Sequence, residues 1–176
     1  MKNWPNVILT LFLTLFLQQT IAGEEQAYKV SPDDILTISV FGEPELSFPS
    51  IRISADGTIP FQLIGDISVV GLTTSEVERA IASKLSEGFL KNPKVTVFVK
   101  EYRQVFIYGQ VQRPGAYSYQ KGMTVERIIA LASGLTARAA KSKITFLREE
   151  SPGAKKAQLS TRLQPGDVVT VGESYF

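Results

Sequence analysis

Between Val105 and Gly134 the sequence VFIYGQVQRPGAYSYQKGMTVERIIALASG spells out strand, turn, strand, helix and stop in unbroken order. That run restricts the chain to folds that mix strands with helices. Val105 and Ile107 alternate with Phe106 and Tyr108, the period-2 signature of a half-buried strand. Arg113-Pro114-Gly115-Ala116 fits a type II turn, because Pro presets φ at the second position and Gly takes a positive φ at the third. Tyr117 and Tyr119 then share a face of the returning strand. Thr124 can cap a helix that carries Glu126 in its first turn, Ile128, Ile129, Ala132 and Leu135 supply the buried stripe, and Gly134 ends it.

Upstream, Pro32-Asp33-Asp34 is a turn feeding a strand that alternates through Val40. Phe41 to Pro49 reads as a loop. Asp56-Gly57, between Ile51 and Ile59, is a hairpin signal, and Pro60 ends the pairing or marks an edge. A short strand from Gly65 to Gly71 follows. Thr73-Thr74-Ser75-Glu76 is a capping box that launches a helix with Val77, Ile81 and Leu85 on one face, Ala80 and Phe89 beside them, and Gly88 as the stop. Val95, Val97 and Val99 then alternate in a strand.

Beyond the central unit, 137–141 reads as a short helix or turn, 144–148 as a strand and 149–157 as an exposed loop. Pro165-Gly166-Asp167 turns into the strand Val168 to Val171. Two echoes link the halves: Pro32-Asp33-Asp34 with Pro165-Gly166-Asp167, and Gly71-Leu72-Thr73 with Gly122-Met123-Thr124. Turn chemistry alone can also produce such short matches.

Cysteine and histidine are both absent, so disulfides, thiol catalysis, thiolate metal sites and imidazole chemistry have no residues to work with. Without Cys, no lipid is expected at an N-terminal cleavage point. Lys2, the eleven-residue apolar run Val7 to Leu17, and small Ala22 and Gly23 are laid out as a signal peptide cleaved after Ala22 or Gly23. A spanning anchor would need ~20 apolar residues. Charge is uneven: seven basic against eleven acidic residues from Glu24 to Lys100, but eleven against six from Glu101 to Phe176. Each half is small enough to be marginal alone, so the two are expected to pack on each other or on neighbouring subunits.

The motifs Tyr28 to Gly42, Asp56-Gly57-Thr58-Ile59-Pro60 with Ile64-Gly65, Gly71-Leu72-Thr73 with Glu76, and Pro93 to Val97 resemble the export domain of Wza-type outer-membrane polysaccharide export proteins. Gly109 to Tyr117, Gly122 with Thr124, Ala132-Ser133-Gly134 and Pro165 to Val168 resemble the SLBB β-grasp domain that follows it. Gln62 stands where a second proline is common, and Ser133 where glycine is usual. The resemblance implies an α+β chain with a signal peptide at 1–23, an export domain at 24–101 and a ubiquitin-like SLBB domain at 102–176. It further implies a ring component, periplasmic and outer-membrane-associated, that passes a capsular or exopolysaccharide without covalent chemistry or cofactor. Better-known relatives carry a lipidated Cys, a further β-grasp repeat and a membrane helix. None is read here, so a separate outer-membrane β-barrel and an inner-membrane co-polymerase are expected as partners. In such a head-to-tail ring, the acidic half of one subunit would meet the basic half of the next.

Blander and sharper readings compete at several residues. Asp33, Asp34, Asp56 and Asp167 could be carboxylate acids of a glycan hydrolase or lyase, but each sits in a turn where Asp bonds its own backbone, and no spacing fixes a catalytic pair. Tyr102, Phe106, Tyr108, Tyr117 and Tyr119 serve a core as readily as a sugar, with Tyr117 and Tyr119 the better surface candidates and Tyr175 and Phe176 possible partner contacts. Lys141, Lys143, Arg148, Lys155, Lys156 and Arg162 could hold an acidic glycan or simply solvate a face. No phosphate-cradling glycine loop or nucleic-acid signature occurs. A monomeric glycan-binding adaptor that docks a barrel is the alternative to the ring.

Overall fold

In the computed structural model, which describes residues 28–149 and 151–174, the chain builds two hydrophobic cores in sequence. The cleavage point at Ala22 and Gly23 and the terminal Tyr175 and Phe176 lie outside the described residues.

The first core is enclosed by β1 (Ile35–Val40), β2 (Phe48–Arg52), β3 (Thr58–Phe61), β4 (Gly65–Ser68), α1 (Thr74–Ser86) and β5 (Val95–Glu101). The strands make an antiparallel sheet in the order β2-β1-β5 and a separate β3-β4 pair. Alternation turns Leu36, Ile38 and Val40 inward, where they join Val77, Ile81 and Leu85 of α1. Helix α1 starts where it does because Thr73 and Glu76 satisfy each other's backbone. Glu76 N–H donates to the Thr73 hydroxyl at 3.3 Å and Thr73 N–H donates to the Glu76 carboxylate at 2.7 Å. The Thr73 backbone and hydroxyl bonds hold the Glu76 carboxyl below its usual range, so the cap persists at neutral pH and weakens as acid protonates Glu76. Thr73→Ala is expected to lower stability by about 1 kcal/mol. Urea unfolding of the two proteins side by side checks this.

The free edges of this sheet are guarded. β2 contains Pro49, which has no N–H to offer a neighbouring strand. On β5, Val97 N–H donates at 2.8 Å to the Glu78 carboxylate, which reaches across from α1.

The second core lies under β6 (Val105–Gly109), β7 (Gly115–Tyr117), α2 (Val125–Leu131), β8 (Ala139–Leu147), β9 (Lys155–Lys156) and β10 (Val168–Glu173). The sheet order is β7-β6-β10-β8-β9, with β10 parallel to β6 and the other pairs antiparallel. Hairpin, helix, two further strands and a last strand inserted beside the first make the β-grasp topology, and the whole chain is α+β. Val125, Ile128 and Ile129 of α2 seal against Val105, Ile107, Val169 and Val171. At the end of β6 the backbones run so close that a side chain on Gly109 would place its Cβ 2.1 Å from the Val171 carbonyl oxygen.

Several expectations need correction. Asp56-Gly57 makes a turn, with Gly57 N–H donating to Ser54 O at 2.9 Å, but not a hairpin: β2 pairs with β1, and β3 pairs with β4. Part of the expected loop at 41–49 is a 3-10 turn, Pro44–Leu46, followed by the start of β2. Arg113-Pro114-Gly115-Ala116 does not close as a type II turn, because Gly115 has φ +154° and the Arg113 carbonyl accepts the Tyr117 hydroxyl at 2.6 Å. Phe89 lies beyond the end of α1 and is 48% exposed. Residues from Ala139 onward are strand, held by pairing of Ala139 with Glu173, and the loop after Arg148 contains β9. At the end of α2, Ser133 as well as Gly134 takes a positive φ, +66° and +90°, where glycine alone was expected to do so.

Candidate functional site

The two proline turns that echo each other in sequence also share their geometry. In the first, Asp33 has φ +71°, Asp34 N–H donates to Ser31 O, and Ser31 N–H returns a bond to Asp34 Oδ2 at 2.9 Å. In the second, Gly166 has φ +87°, Asp167 N–H donates to Gln164 O, and Gln164 N–H returns a bond to Asp167 Oδ2 at 2.8 Å. Both carboxylates are buried, Asp34 at 0% and Asp167 at 1% exposure, so each needs further donors. Asp167 takes them from the Arg148 guanidinium, at 2.9 Å from Nε and 2.8 Å from a terminal nitrogen. Asp34 takes them from the Tyr28 hydroxyl at 2.6 Å and from the backbone N–H of Arg103 at 2.9 Å.

Arg103 therefore joins the two turns. Its backbone is tied to Asp34, while its guanidinium bonds Glu149 at 2.6 Å and the Pro165 carbonyl at 3.3 Å. Gly166 lies directly against that guanidinium: a Cβ there would stand 3.1 Å from Arg103 Cζ. Burial alone would lower the Arg103 pKa, but the Glu149 pair and the Tyr28 hydroxyl outweigh it and keep the group charged. Three tyrosines cross the same joint edge to face. Tyr28 meets Tyr102 at 5.0 Å between ring centroids, and Tyr102 meets Tyr119 at 5.3 Å. Burial, then the Asp34 carboxylate, pushes the Tyr28 and Tyr102 hydroxyls upward, so Tyr28 stays a donor throughout the physiological range.

A cleft opens on either side of this joint, and Tyr102, Arg103 and Tyr119 line both. The larger, about 840 Å³, has mixed charge from Asp33, Arg52, Lys100 and Glu101. The smaller, about 590 Å³, is bounded by Lys29, Lys121, Arg148 and Arg162 and by Glu149.

The remaining residues singled out in the sequence are dispersed. Thr73 and Glu76 cap α1, and Asp56 accepts from Ser54 and Thr58 in an exposed turn beside Gly57. Pro114 is exposed ahead of β7, Gly134 follows α2, and Pro32 opens the first turn. Tyr117 and Tyr119 pack against the second core rather than standing free on the surface. Lys141 and Lys143 are exposed on β8, and Lys155 and Lys156 on β9, away from the residues that line the clefts. Tyr28 and Arg103 were not singled out as site residues. The proline-turn echo was the available signal, since a buried Asp after each turn demands donors that its own turn cannot supply.

Asp34 and Asp167 already accept on both oxygens, which suits them to hold structure rather than to pass protons. An α+β chain whose β-grasp half is latched by one joint to a preceding small half defines a class with a known counterpart. Residues 22–100 match the family described as polysaccharide biosynthesis/export protein, and residues 104–159 match the SLBB domain. The chain belongs to the polysaccharide biosynthesis/export family, with an SLBB domain following the export domain. It is 31% identical over 159 residues to the EPS I polysaccharide export outer membrane protein EpsA of Ralstonia nicotianae, covering 76% of this chain and 40% of the relative. To the exopolysaccharide production protein ExoF of Rhizobium meliloti it is 32% identical over 114 residues, 62% of this chain and 27% of the relative. The polysialic acid transport protein KpsD of Escherichia coli is 31% identical over 93 residues, 53% of this chain and 16% of the relative. The chain thus spans less than half the length of these relatives.

Proposed function

We propose that this chain is a component of a capsular or exopolysaccharide export complex, periplasmic and associated with the outer membrane, and that its copies close into a ring through which the polymer passes. The observation that carries the reading is the order of the two matched domains, with the two halves tied through Arg103 to Asp34 and to the Pro165 carbonyl. The opposite charges of the two halves support head-to-tail contact, acidic half against basic half. A separate β-barrel and an inner-membrane co-polymerase complete the proposed path. The polymer would pass by diffusion and drive from synthesis, with no group on this chain forming a bond to it.

The test is the native mass of the full chain in detergent-free buffer and again with membrane extract. A closed oligomer of defined mass, weakening as salt rises, is the expected result. A strict monomer in both conditions would overturn the ring in favour of an adaptor that docks a barrel.

A further inference from the structure

We propose that the smaller cleft beside the joint, on the Lys29 and Arg162 side, binds an acidic sugar unit, a pyranose that carries a carboxylate. The proposal deepens the export reading and rests on it, since it names the class of glycan this chain would recognise.

Size comes first. The cleft is concave, about 590 Å³, and lies between the two cores. Ligand sites occupy roughly 300 to 1,000 Å³, so the space suits one or two sugar rings better than the flat face of a neighbouring protein. Charge comes second. Among the described residues, five basic side chains line the cleft against one carboxylate, Glu149. Counting Asp167, which pairs with Arg148, and Asp34, which accepts the Arg103 backbone N–H, the described residues still carry more positive than negative charge there. The larger cleft, with three basic and two acidic side chains, carries no such bias. Low-dielectric walls concentrate the field of a cleft lined by one sign of charge.

The lining chemistry narrows the class further. Tyr28, Tyr102 and Tyr119 contribute aromatic ring surface to the lining, suited to the C–H face of a pyranose. Arg162 offers a planar fork that matches a carboxylate. Lys29 precedes the first core and Arg162 belongs to the second, so a bound acidic sugar touches both halves.

The experiment titrates the full chain at low salt with trigalacturonate, with maltotriose as the neutral counterpart and with inorganic phosphate as a plain anion. Trigalacturonate is expected to bind at least about tenfold more tightly than maltotriose, and Lys29→Ala with Arg162→Ala to weaken it about tenfold. Lys155→Ala with Lys156→Ala removes the same charge from the exposed edge strand β9 and is expected to leave the affinity within about twofold.

Equal losses in both double variants would mean attraction to the overall basic field, and the proposal fails. It fails too if phosphate displaces trigalacturonate at equal concentration, or if all three probes fail to bind. A change in native mass rather than affinity on Lys29→Ala with Arg162→Ala would reassign the cleft to a contact between copies. An oligomer that ignores trigalacturonate would sink this inference and leave the export reading standing, whereas a strict monomer that binds it would overturn the ring and leave this inference standing.

Discussion

Asp34→Ala is expected to cost about 3 kcal/mol or more and to uncouple the two halves of the chain. The substitution orphans three donors at once: the Tyr28 hydroxyl, Ser31 N–H and Arg103 N–H. An unsatisfied buried donor costs about 1 to 3 kcal/mol, and water admitted to the gap recovers part of that. Asn preserves the shape but not the chemistry. One oxygen accepts Arg103 N–H and the other accepts Tyr28 and Ser31, so an amide nitrogen faces a donor in either orientation. Tyr28→Phe removes one bond of the three, to a buried carboxylate, and should cost about 1.5 to 3 kcal/mol. Calorimetry provides the check. The parent should melt in a single transition and Asp34→Ala in two, and a single unshifted transition in the variant would show that Asp34 does not couple the halves.

Gly109→Ala is the second large effect. Its Cβ would meet the Val171 carbonyl oxygen at 2.1 Å, and φ +85° is a conformation L side chains rarely adopt. The carbonyl cannot swing aside without releasing Gln110 N–H, which it accepts at 2.9 Å. Relief requires β6 and β10 to separate at the centre of the five-stranded sheet. The cost is about 3 to 5 kcal/mol, comparable to the stability of so small a unit. Amide exchange should rise through β6, β8 and β10 while α1 and β5 keep their protection. Unchanged protection across the second sheet would contradict this packing.

Much of the fold was legible where chemistry is local. Thr73 and Glu76 announce a helix start because both partners of the cap lie within four residues. Alternating valines announce β5 because one face is buried. The turn at Asp56-Gly57 was legible but its strands were not: an Asp-Gly pair specifies a reversal, and burial decides which strands meet. The start of β8 was misread for a related reason, since Ala139 is strand only because Glu173, far along the chain, supplies its partner.

The site was half legible. Asp34 and Asp167 were read as turn residues, and they are. What turns cannot reveal is depth, and a carboxylate at 0% exposure recruits partners from afar. Arg103 gave no signal because one arginine after a strand has no period, and its partners are 69 residues behind it and 46 ahead.

The guarded edges of the first sheet bear on how copies of this chain could recognise one another. Pro49 withholds a donor on one edge and Glu78 occupies a donor on the other, while the outer strands of the second sheet, β7 and β9, are three and two residues long. Backbone zippering between copies is therefore discouraged along the edges of both larger sheets. Contact between copies across those edges would be written in side chains, and so be open to dissection by single substitutions.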